Sequence, residues 1–160
     1  MILNNHKLNL NQFPENYHLI AIHSDLDEFR LAFFLNKELN IGLKRKNNDI
    51  YFSEQNANYS SYEFLDDTKY LKWIFFSNKS LVSEKSPDQD LSLFSKGSTA
   101  LNEMNLLSQQ KSVDYFLIIE NIANKTYIDK VLKKISEISG VITSFLSDNK
   151  LENKENLIFS

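Results

Sequence analysis

The sequence predicts a single α+β domain in which two strand–helix–strand units share one antiparallel sheet. Segments 17 to 46 and 113 to 147 each contain an apolar strand, an amphipathic helix and a second strand. In both units the first strand is the more apolar one, as expected if these two strands lie side by side in the middle and the second strands flank them. With both helices on one face, this is the ferredoxin-like split βαβ sandwich, here with a hairpin and a long loop inserted between the halves.

Composition and charge limit the classes of protein to which the chain can belong. With 160 residues, of which 42% are hydrophobic and 24% charged, it is expected to fold around one sizeable core. It has no cysteine, which excludes disulfides, thiolate metal sites and cysteine nucleophiles, and its three scattered glycines cannot form a phosphate-binding loop. The net charge of −3 argues against general binding to nucleic acids or anionic membranes. We predict no metal and no other cofactor.

The chain starts with a polar arm, residues 1 to 16, and ends with a polar tail, residues 148 to 160. The arm lacks the apolar core and cleavage site of a signal peptide, and no apolar run approaches the roughly 18 residues of a membrane span. We therefore expect a cytoplasmic protein that does not bind a membrane.

The first unit, residues 17 to 53, opens with a strand that is apolar at odd and even positions, which indicates that both of its faces are covered. Ser24 or Asp25 is the expected N-cap of the helix that follows, and Asn40 is a suitable left-handed C-terminal cap. The apolar face of this helix is wide and consists of Leu26, Phe29, Leu31, Phe33, Phe34, Leu35 and Leu39.

Two hairpins are predicted between the helices. Segments 41 to 46 and 49 to 53 would pair across two asparagines, which tolerate the positive φ of a tight turn. Segments 61 to 65 and 69 to 77 would pair across Asp-Asp-Thr within the insertion, residues 54 to 112, the rest of which is expected to form loops. A longer antiparallel sheet made from these hairpins, with the helices packed across it, is the competing interpretation of the fold.

The second unit, residues 113 to 147, begins with large apolar residues at odd and even positions alike. We predict that this stretch is a central strand with a helix on one side. The next helix covers residues 126 to 139, with a capping box from Thr126 and Asp129 at its start and Gly140 as its C-terminal cap. The last strand follows directly.

Val113, Asp114 and Tyr115 are similar to the second half of a signature that gives a bacterial family, the IPExxxVDY family, its name. The first half differs, because Leu-Ser-Gln at 107 to 109 stands where Ile-Pro-Glu is expected, so no role of that Pro and Glu can be carried over. The resemblance covers nearly the whole chain and implies no particular activity. Further stretches similar to the family are residues 23 to 27, 77 to 80 and 154 to 159.

His23, Ser24 and Asp25 form, with the acids that follow them, the only compact group of His and acidic residues in the sequence. They lie where a strand ends and a helix begins, a position at which anion sites and active sites often form. Catalysis there would use His23 as a base or ligand with a carboxylate beside it. Helix capping explains the same acids without any ligand, and Asp114 is expected to cap a turn or to pair with a base.

The aromatic residues of the strand at 69 to 77 exceed the number that one face of an edge strand can bury. Either the long loop covers them or they form a dimer interface. The residues predicted for this interface are Tyr70, Trp73, Phe75 and Phe76.

A basic cluster, residues 44 to 46, lies on the first predicted hairpin near Tyr51 and Phe52. Basic residues beside stacking aromatics are typical of surfaces that bind single-stranded RNA, but the ribonucleoprotein signature is absent from the central strand. A solvated edge hairpin whose charges prevent aggregation is the favoured interpretation, so nucleic acid is not an expected partner.

These observations predict a non-catalytic protein-interaction or regulatory module that binds an unknown protein partner or forms a homodimer through its sheet. The alternative is a small-molecule-binding regulatory domain, which rests on analogy with other domains of this fold. An enzyme that uses His23 and Asp25, and an RNA-binding protein, rank below these two hypotheses.

Overall fold

Two helices and a six-stranded antiparallel sheet form the α+β body of the protein in the computed structural model, which describes residues 17–52, 55–83, 101–122 and 124–147. In chain order the elements are β1 (Tyr17–Ser24), α1 (Glu28–Leu39), β2 (Lys44–Arg45), β3 (Ile50–Phe52), β4 (Ala57–Tyr59), β5 (Ser61–Asp66), β6 (Leu71–Ser77), β7 (Lys79–Ser83), β8 (Leu101–Asn105), a short 3-10 helix (Ser108–Gln110), β9 (Tyr115–Glu120), α2 (Lys125–Ser136) and β10 (Val141–Leu146). The large sheet has the strand order β10–β1–β9–β6–β5–β2, while β3–β4 and β7–β8 form separate two-stranded sheets. The predicted arm and tail lie outside the described residues.

The two strands predicted to be central lie next to each other. β1 and β9 pair antiparallel, with Ile20 opposite Leu117 and Ala21 opposite Phe116. The first pair is buried beneath the helices, and the second is buried on the opposite face of the sheet. The predictions that these strands are neighbours and that both of their faces are covered are confirmed.

A layer of short strands covers the face of the sheet opposite the helices. In β3 and β4, Ile50 lies opposite Tyr59 and Phe52 lies opposite Ala57, and all four side chains are buried. β7 and β8 extend this layer beside β4. Burial of one large apolar side chain contributes roughly 1.5–3 kcal/mol, so both layers stabilise the central strands. The sheet is thus the middle of three layers, which explains why its central strands do not alternate.

β10 flanks β1 as predicted, but a different strand flanks β9. β9 pairs with β6, whereas the predicted strand at 41 to 46 contributes only β2, at the far edge of the sheet. The position beside β9 requires apolar side chains on both faces. The stretch from Trp73 to Phe76 provides them, and the exposed Lys44 and Arg45 do not. The prediction for the second strand of the first unit is therefore wrong.

The hairpin predicted across Asn47 and Asn48 is also wrong. β2 pairs with β5, and β3 pairs with β4, a strand in a segment predicted to be a loop. Burial decides these partners, because the apolar β3 is covered in the layer opposite the helices while the charged β2 stays at an exposed edge. The hairpin of β5 and β6 has its predicted partners, with Phe64 opposite Trp73.

The described parts of the predicted long loop form two strands and a short 3-10 helix. β7 and β8 pair antiparallel, with Lys79 opposite Asn105 and Val82 opposite Asn102. Residues 84 to 100 lie outside the described residues, so the prediction of a loop there is untested.

The caps of α1 agree in part with the sequence prediction. Asp27, rather than Ser24 or Asp25, caps the start, and its carboxylate accepts a hydrogen bond from the Arg30 N–H at 2.9 Å. Asn40 adopts φ 53° and is the left-handed C-terminal cap that was predicted.

α2 begins at a cap that the sequence did not predict. The side chain of Asn124 accepts from the Thr126 N–H at 2.9 Å, so Thr126 is inside the helix and is not its cap. The helix ends at Ser136, and Gly140, with φ 98°, lies in the turn that leads to β10.

Both helices have 12 residues, and no helix in the part of the chain that the structure describes is long and apolar enough to cross a membrane.

Candidate functional site

The candidate site residues lie at one end of the sheet, where β1 ends and β7 and β9 begin. The Asp114 N–H donates to the Ile22 carbonyl at 3.2 Å, and the Asn78 N–H donates to the Asp114 carbonyl at 2.9 Å. These backbone bonds bring three distant chain segments within contact of one another.

The Asp114 carboxylate is the centre of this group. Its Oδ2 accepts a hydrogen bond from the Ser24 N–H at 3.0 Å, and its Oδ1 lies 2.8 Å from the Lys79 Nζ. His23 Nδ1 is 4.0 Å from Oδ2, which is beyond hydrogen-bond distance. We refer to His23, Ser24, Lys79 and Asp114 as the Asp114 cluster.

The hydroxyl of Ser24 is occupied by structural hydrogen bonds. It donates to the Gly140 carbonyl at 2.8 Å and accepts from the Leu26 N–H at 3.1 Å. The His23 ring is stacked on Phe145, with ring centroids 6.1 Å apart, and does not contact this hydroxyl as a base would. Ser24 therefore links the start of α1 to the turn before β10 and is not placed as a nucleophile.

Asp25, predicted together with His23 and Ser24, is outside the cluster. It is exposed, and its N–H donates to the Gly140 carbonyl at 2.9 Å. Among the described residues, the carboxylate that lies within 4.0 Å of the His23 ring comes instead from Asp114, which is distant in the sequence.

The charges of the Asp114 cluster are paired. The hydrogen bond to Asp114 is the main reason that the pKa of Lys79 is raised above its ordinary value, and burial acts in the opposite direction. Glu103 also raises the pKa of Lys79, since its Oε1 lies 3.8 Å from the Nζ. A lysine that keeps its proton in this way is suited to an ion pair and not to acting as a base.

The residues that carry the family resemblance have structural contacts at this end of the sheet. Val113 is buried in the core opposite the helices, and the Tyr115 hydroxyl donates to the Leu26 carbonyl at 2.9 Å. Burial is the main reason that the pKa of Tyr115 is raised to about 12. The buried Asn78 donates from its amide to the Gln110 and Val113 carbonyls, both at 2.9 Å. Packing and hydrogen bonding account for each of these residues.

Three of the four aromatic residues predicted to form an interface lie inside the chain. Trp73, Phe75 and Phe76 are buried, because β6 is an interior strand with helices on one face and short strands on the other. The premise that β6 is an edge strand is wrong, and these three side chains do not reach the surface. Tyr70 does, since it is 82% exposed in the turn between β5 and β6.

The basic cluster on β2 lies among acidic side chains. Arg45 contacts the carboxylates of Glu28 and Asp49, and Lys46 Nζ lies 3.5 Å from Glu63 Oε2. Because these cations already have acidic partners, the cluster is poorly suited to binding phosphates, in agreement with its interpretation as a charged edge.

α1 presents an aromatic surface that the sequence did not predict. Phe29 and Phe33, expected in the buried face of the helix, are 65% and 63% exposed. The buried part of α1 is a narrower strip of Leu31, Ala32 and Leu35. The two phenylalanines belong to a shallow groove of about 560 Å³, the α1 groove, which is lined by Leu26, Phe29, Arg30, Phe33, Phe34 and Ser139.

Neither a metal site nor a relative indicates the function. Among the described residues, no group of three or more His, Cys, Asp or Glu side chains could hold a metal ion. No protein-family model, no curated protein and no solved structure matches the chain. The chemistry of the Asp114 cluster and of the α1 groove is therefore the basis for assigning a function.

Proposed function

We propose that this protein is a non-catalytic interaction module that binds an acidic, amphipathic segment of a partner protein in the α1 groove. The observation that carries the proposal is the exposure of Phe29 and Phe33, two aromatic side chains one helical turn apart. Single exposed apolar residues are normal on a protein surface, whereas neighbouring aromatic residues around a groove are typical of a binding site.

The α1 groove offers apolar area that a partner can remove from water. Phe29 lies edge-on to Tyr62 with ring centroids 6.4 Å apart, and Phe33 lies edge-on to Phe34 at 5.4 Å. These contacts restrain the rings, so less conformational entropy is lost when a partner covers them. Full burial of one phenylalanine contributes roughly 1.5–3 kcal/mol, a substantial part of the about 8 kcal/mol that micromolar binding requires.

The charge of α2, the helix beside the groove, favours an acidic partner. α2 packs beside α1 and carries four lysines against one aspartate, a net charge of +3, whereas α1 carries two acidic and two basic residues. Arg30 lines the groove itself, and its contact with Asp27 at 3.5 Å is an exposed ion pair that contributes little. Carboxylates beside the apolar face of a partner would be attracted to Arg30 and to the lysines of α2.

The shape of the groove favours a polypeptide over a small molecule. Small-molecule sites are concave and bury roughly 70–90% of their ligand, but the α1 groove is shallow. An amphipathic helix needs only one covered face, which a shallow groove provides. The proposal is therefore a protein-binding module in preference to a small-molecule-binding regulatory domain.

A non-catalytic role agrees with the contacts of the Asp114 cluster. The Ser24 hydroxyl donates to the Gly140 carbonyl, Lys79 is paired with Asp114, and the Asp114 carboxylate lies 4.0 Å from His23 Nδ1, beyond hydrogen-bond distance. An enzyme at this position would need a nucleophile or base that is free to reach a substrate.

The proposal includes a ferredoxin-like core made of β10, β1, β9 and β6, with β6 in the place predicted for the strand at 41 to 46. Its support is that β9, α2 and β10 form a strand–helix–strand unit with β1 between the two strands. The resemblance to the IPExxxVDY family stays a prediction.

A designed peptide tests the binding of an acidic segment. The probe is a fluorescein-labelled amphipathic helix of leucine and glutamate, and its twin carries lysine in place of every glutamate. We expect the acidic peptide to bind with micromolar Kd in fluorescence anisotropy and the basic twin to bind far more weakly. The double variant Phe29→Gln/Phe33→Gln should weaken binding at least about tenfold, which corresponds to about 1.4 kcal/mol.

Leu81→Gln is the matched control, because Leu81 is also largely exposed but lies on β7, in the layer opposite the helices. It should leave the Kd unchanged. Equal binding of the acidic and basic peptides, or an unchanged Kd in the double phenylalanine variant, would exclude the α1 groove as the binding surface.

A further inference from the structure

Three lysines share the exposed face of α2. Lys130, Lys133 and Lys134 are all exposed, and at 3.6 residues per turn they lie within about a third of the helix circumference. The fully buried Ile135 lies on the opposite side of the helix. The fourth lysine, Lys125, is the first residue of α2 and lies outside this sector. We refer to Lys130, Lys133 and Lys134 as the α2 lysine face.

The charges of the α2 lysine face are not neutralised by ion pairs. Several basic residues elsewhere have acidic partners, since Lys46, Lys72 and Lys79 lie 3.5, 3.6 and 2.8 Å from a carboxylate oxygen. Among the described residues, no carboxylate forms an ion pair with a lysine of the α2 lysine face. These three cations are therefore available to a partner.

Stabilisation of the helix accounts for only part of this charge. Lys133 and Lys134 are in the last turn of α2, where cations interact favourably with the helix dipole, but Lys130 lies further from the helix end than that effect extends. Glu137 follows Lys133 by one helical turn, which is the less favourable order for a helical ion pair, and the two form no such pair. The exposed face of α2 thus carries more positive charge than the helix requires.

The α2 lysine face adjoins the α1 groove. α2 packs beside α1, and its last turn leads towards Ser139, which lines the groove together with Arg30. The aromatic side chains of the groove and the cations of α2 are therefore presented on the same side of the molecule.

We infer that the partner segment lies across both helices, with its apolar face in the α1 groove and its carboxylates against the α2 lysine face. The inference rests on the proposed function and gives the two surfaces different kinetic roles. Attraction to the lysines acts at long range, so it should determine the rate of association. Burial of Phe29 and Phe33 begins only on contact, so it should determine the rate of dissociation.

An acidic protein segment fits this surface better than a nucleic acid does. Single strands are bound in basic grooves whose aromatic side chains stack on successive bases. Here the exposed aromatic residues are on α1, which has no net charge, and the cations are on α2. An amphipathic helix matches this separation, because it presents an apolar face beside a row of carboxylates.

Stopped-flow fluorescence with the labelled acidic peptide measures the two rate constants separately. At low ionic strength, Lys130→Gln/Lys133→Gln/Lys134→Gln should lower the association rate constant at least about tenfold and change the dissociation rate constant less than about threefold. Phe29→Gln/Phe33→Gln should show the reverse pattern, with faster dissociation and nearly unchanged association.

Lys44→Gln/Lys69→Gln/Lys111→Gln is the matched control. It removes the same total charge from exposed lysines that lie outside both helices, and the exposed ion pair of Lys69 with Asp66, at 3.9 Å, contributes little. Both rate constants should stay within a factor of about two of the wild-type values, because these lysines are not beside the groove.

Two further measurements separate a charge effect from a structural effect. At about 1 M NaCl, where the Debye length is about 3 Å, wild type and the α2 lysine variant should associate at similar rates. Lys130→Arg/Lys133→Arg/Lys134→Arg keeps the charges and should associate like wild type at low ionic strength. Circular dichroism would verify that every variant folds.

Equal association rates of the α2 lysine variant and its control would overturn the inference and leave the α1 groove as the binding surface. Peptide binding that is unaffected by Phe29→Gln/Phe33→Gln would instead overturn the proposed function, so the two failures are distinguishable. A labelled single-stranded oligonucleotide that binds wild type more tightly than the acidic peptide does, and that the α2 lysine variant no longer binds, would overturn the inference in favour of a nucleic-acid surface.

Discussion

One carboxylate joins parts of the chain that are far apart in the sequence. Asp114 contacts Ser24, 90 residues away, and also Lys79 and His23. Local patterns cannot predict such a group, because nothing near Asp114 in the sequence indicates which distant residues approach it. The sequence did predict one of these contacts. Asp114 lies at the start of a central strand, and it was expected there to cap a turn or to pair with a base.

Glu120, a single buried residue at the end of β9, makes the stability of the protein depend on pH. It is almost fully buried, and burial is the main reason that its pKa is raised, with Lys72 opposing and Glu63 supporting the shift. The folded chain then binds this proton more tightly than the unfolded chain, so the stability linked to Glu120 is greatest below its ordinary pKa. That stability decreases as the pH rises through the raised pKa.

Glu120→Gln removes the buried charge and should therefore stabilise the protein at pH 7, by on the order of 1 kcal/mol. The advantage should shrink towards pH 4, where the wild-type carboxyl takes up its proton. Urea denaturation at several pH values measures the difference. Glu63→Gln is the control and should not stabilise, because Lys46 and Lys72 lie 3.5 and 3.6 Å from the Glu63 carboxylate. A variant that is less stable than wild type by the same amount at every pH would contradict this assignment.

At the scale of elements, the sequence correctly predicted the strands whose apolar pattern follows from burial of both of their faces. β1 and β9 are apolar at odd and even positions because both faces are covered, and this feature needs no knowledge of the partner strand. The partners of β2 and β3 were missed because turn residues such as Asn47 suggest a local hairpin, while burial in a distant layer decides the pairing. Periodicity likewise identified the apolar face of α1 but not the width of the strip that the sheet covers, so the exposure of Phe29 and Phe33 was missed.

The turn between α2 and β10 contains a glycine, Gly140, that packs closely against Leu26 at the start of α1. Gly140 has φ 98°, and a Cβ atom there would lie 2.6 Å from Leu26 Cγ. Gly140→Ala should therefore destabilise the protein by about 2–4 kcal/mol, through left-handed strain and the clash with Leu26. Gly42→Ala is the control. Its Cβ would lie 3.3 Å from the Phe64 ring and its φ is not positive, so its effect should stay within about 1 kcal/mol. Thermal and urea unfolding measure both variants, and equal stabilities would show that the turn tolerates a side chain.

At the scale of the whole molecule, the three layers separate the residues that stabilise the fold from those that can contact a partner. The two helices cover one face of the sheet and the short strands β3, β4, β7 and β8 cover the other, so the side chains of the central strands are interior. Phe29 and Phe33 lie outside the buried strip of α1, which consists of Leu31, Ala32 and Leu35. The proposed binding surface is therefore separate from the core.

This separation predicts that peptide binding and stability respond to different substitutions. Phe29→Gln/Phe33→Gln should change the free energy of unfolding by less than about 1 kcal/mol, because both side chains are largely exposed. Leu35→Ala should destabilise the protein by about 2–5 kcal/mol, since Leu35 is fully buried. Urea denaturation measures both variants. A loss of stability in the double phenylalanine variant as large as that of Leu35→Ala would show that the two rings belong to the core and not to a binding surface.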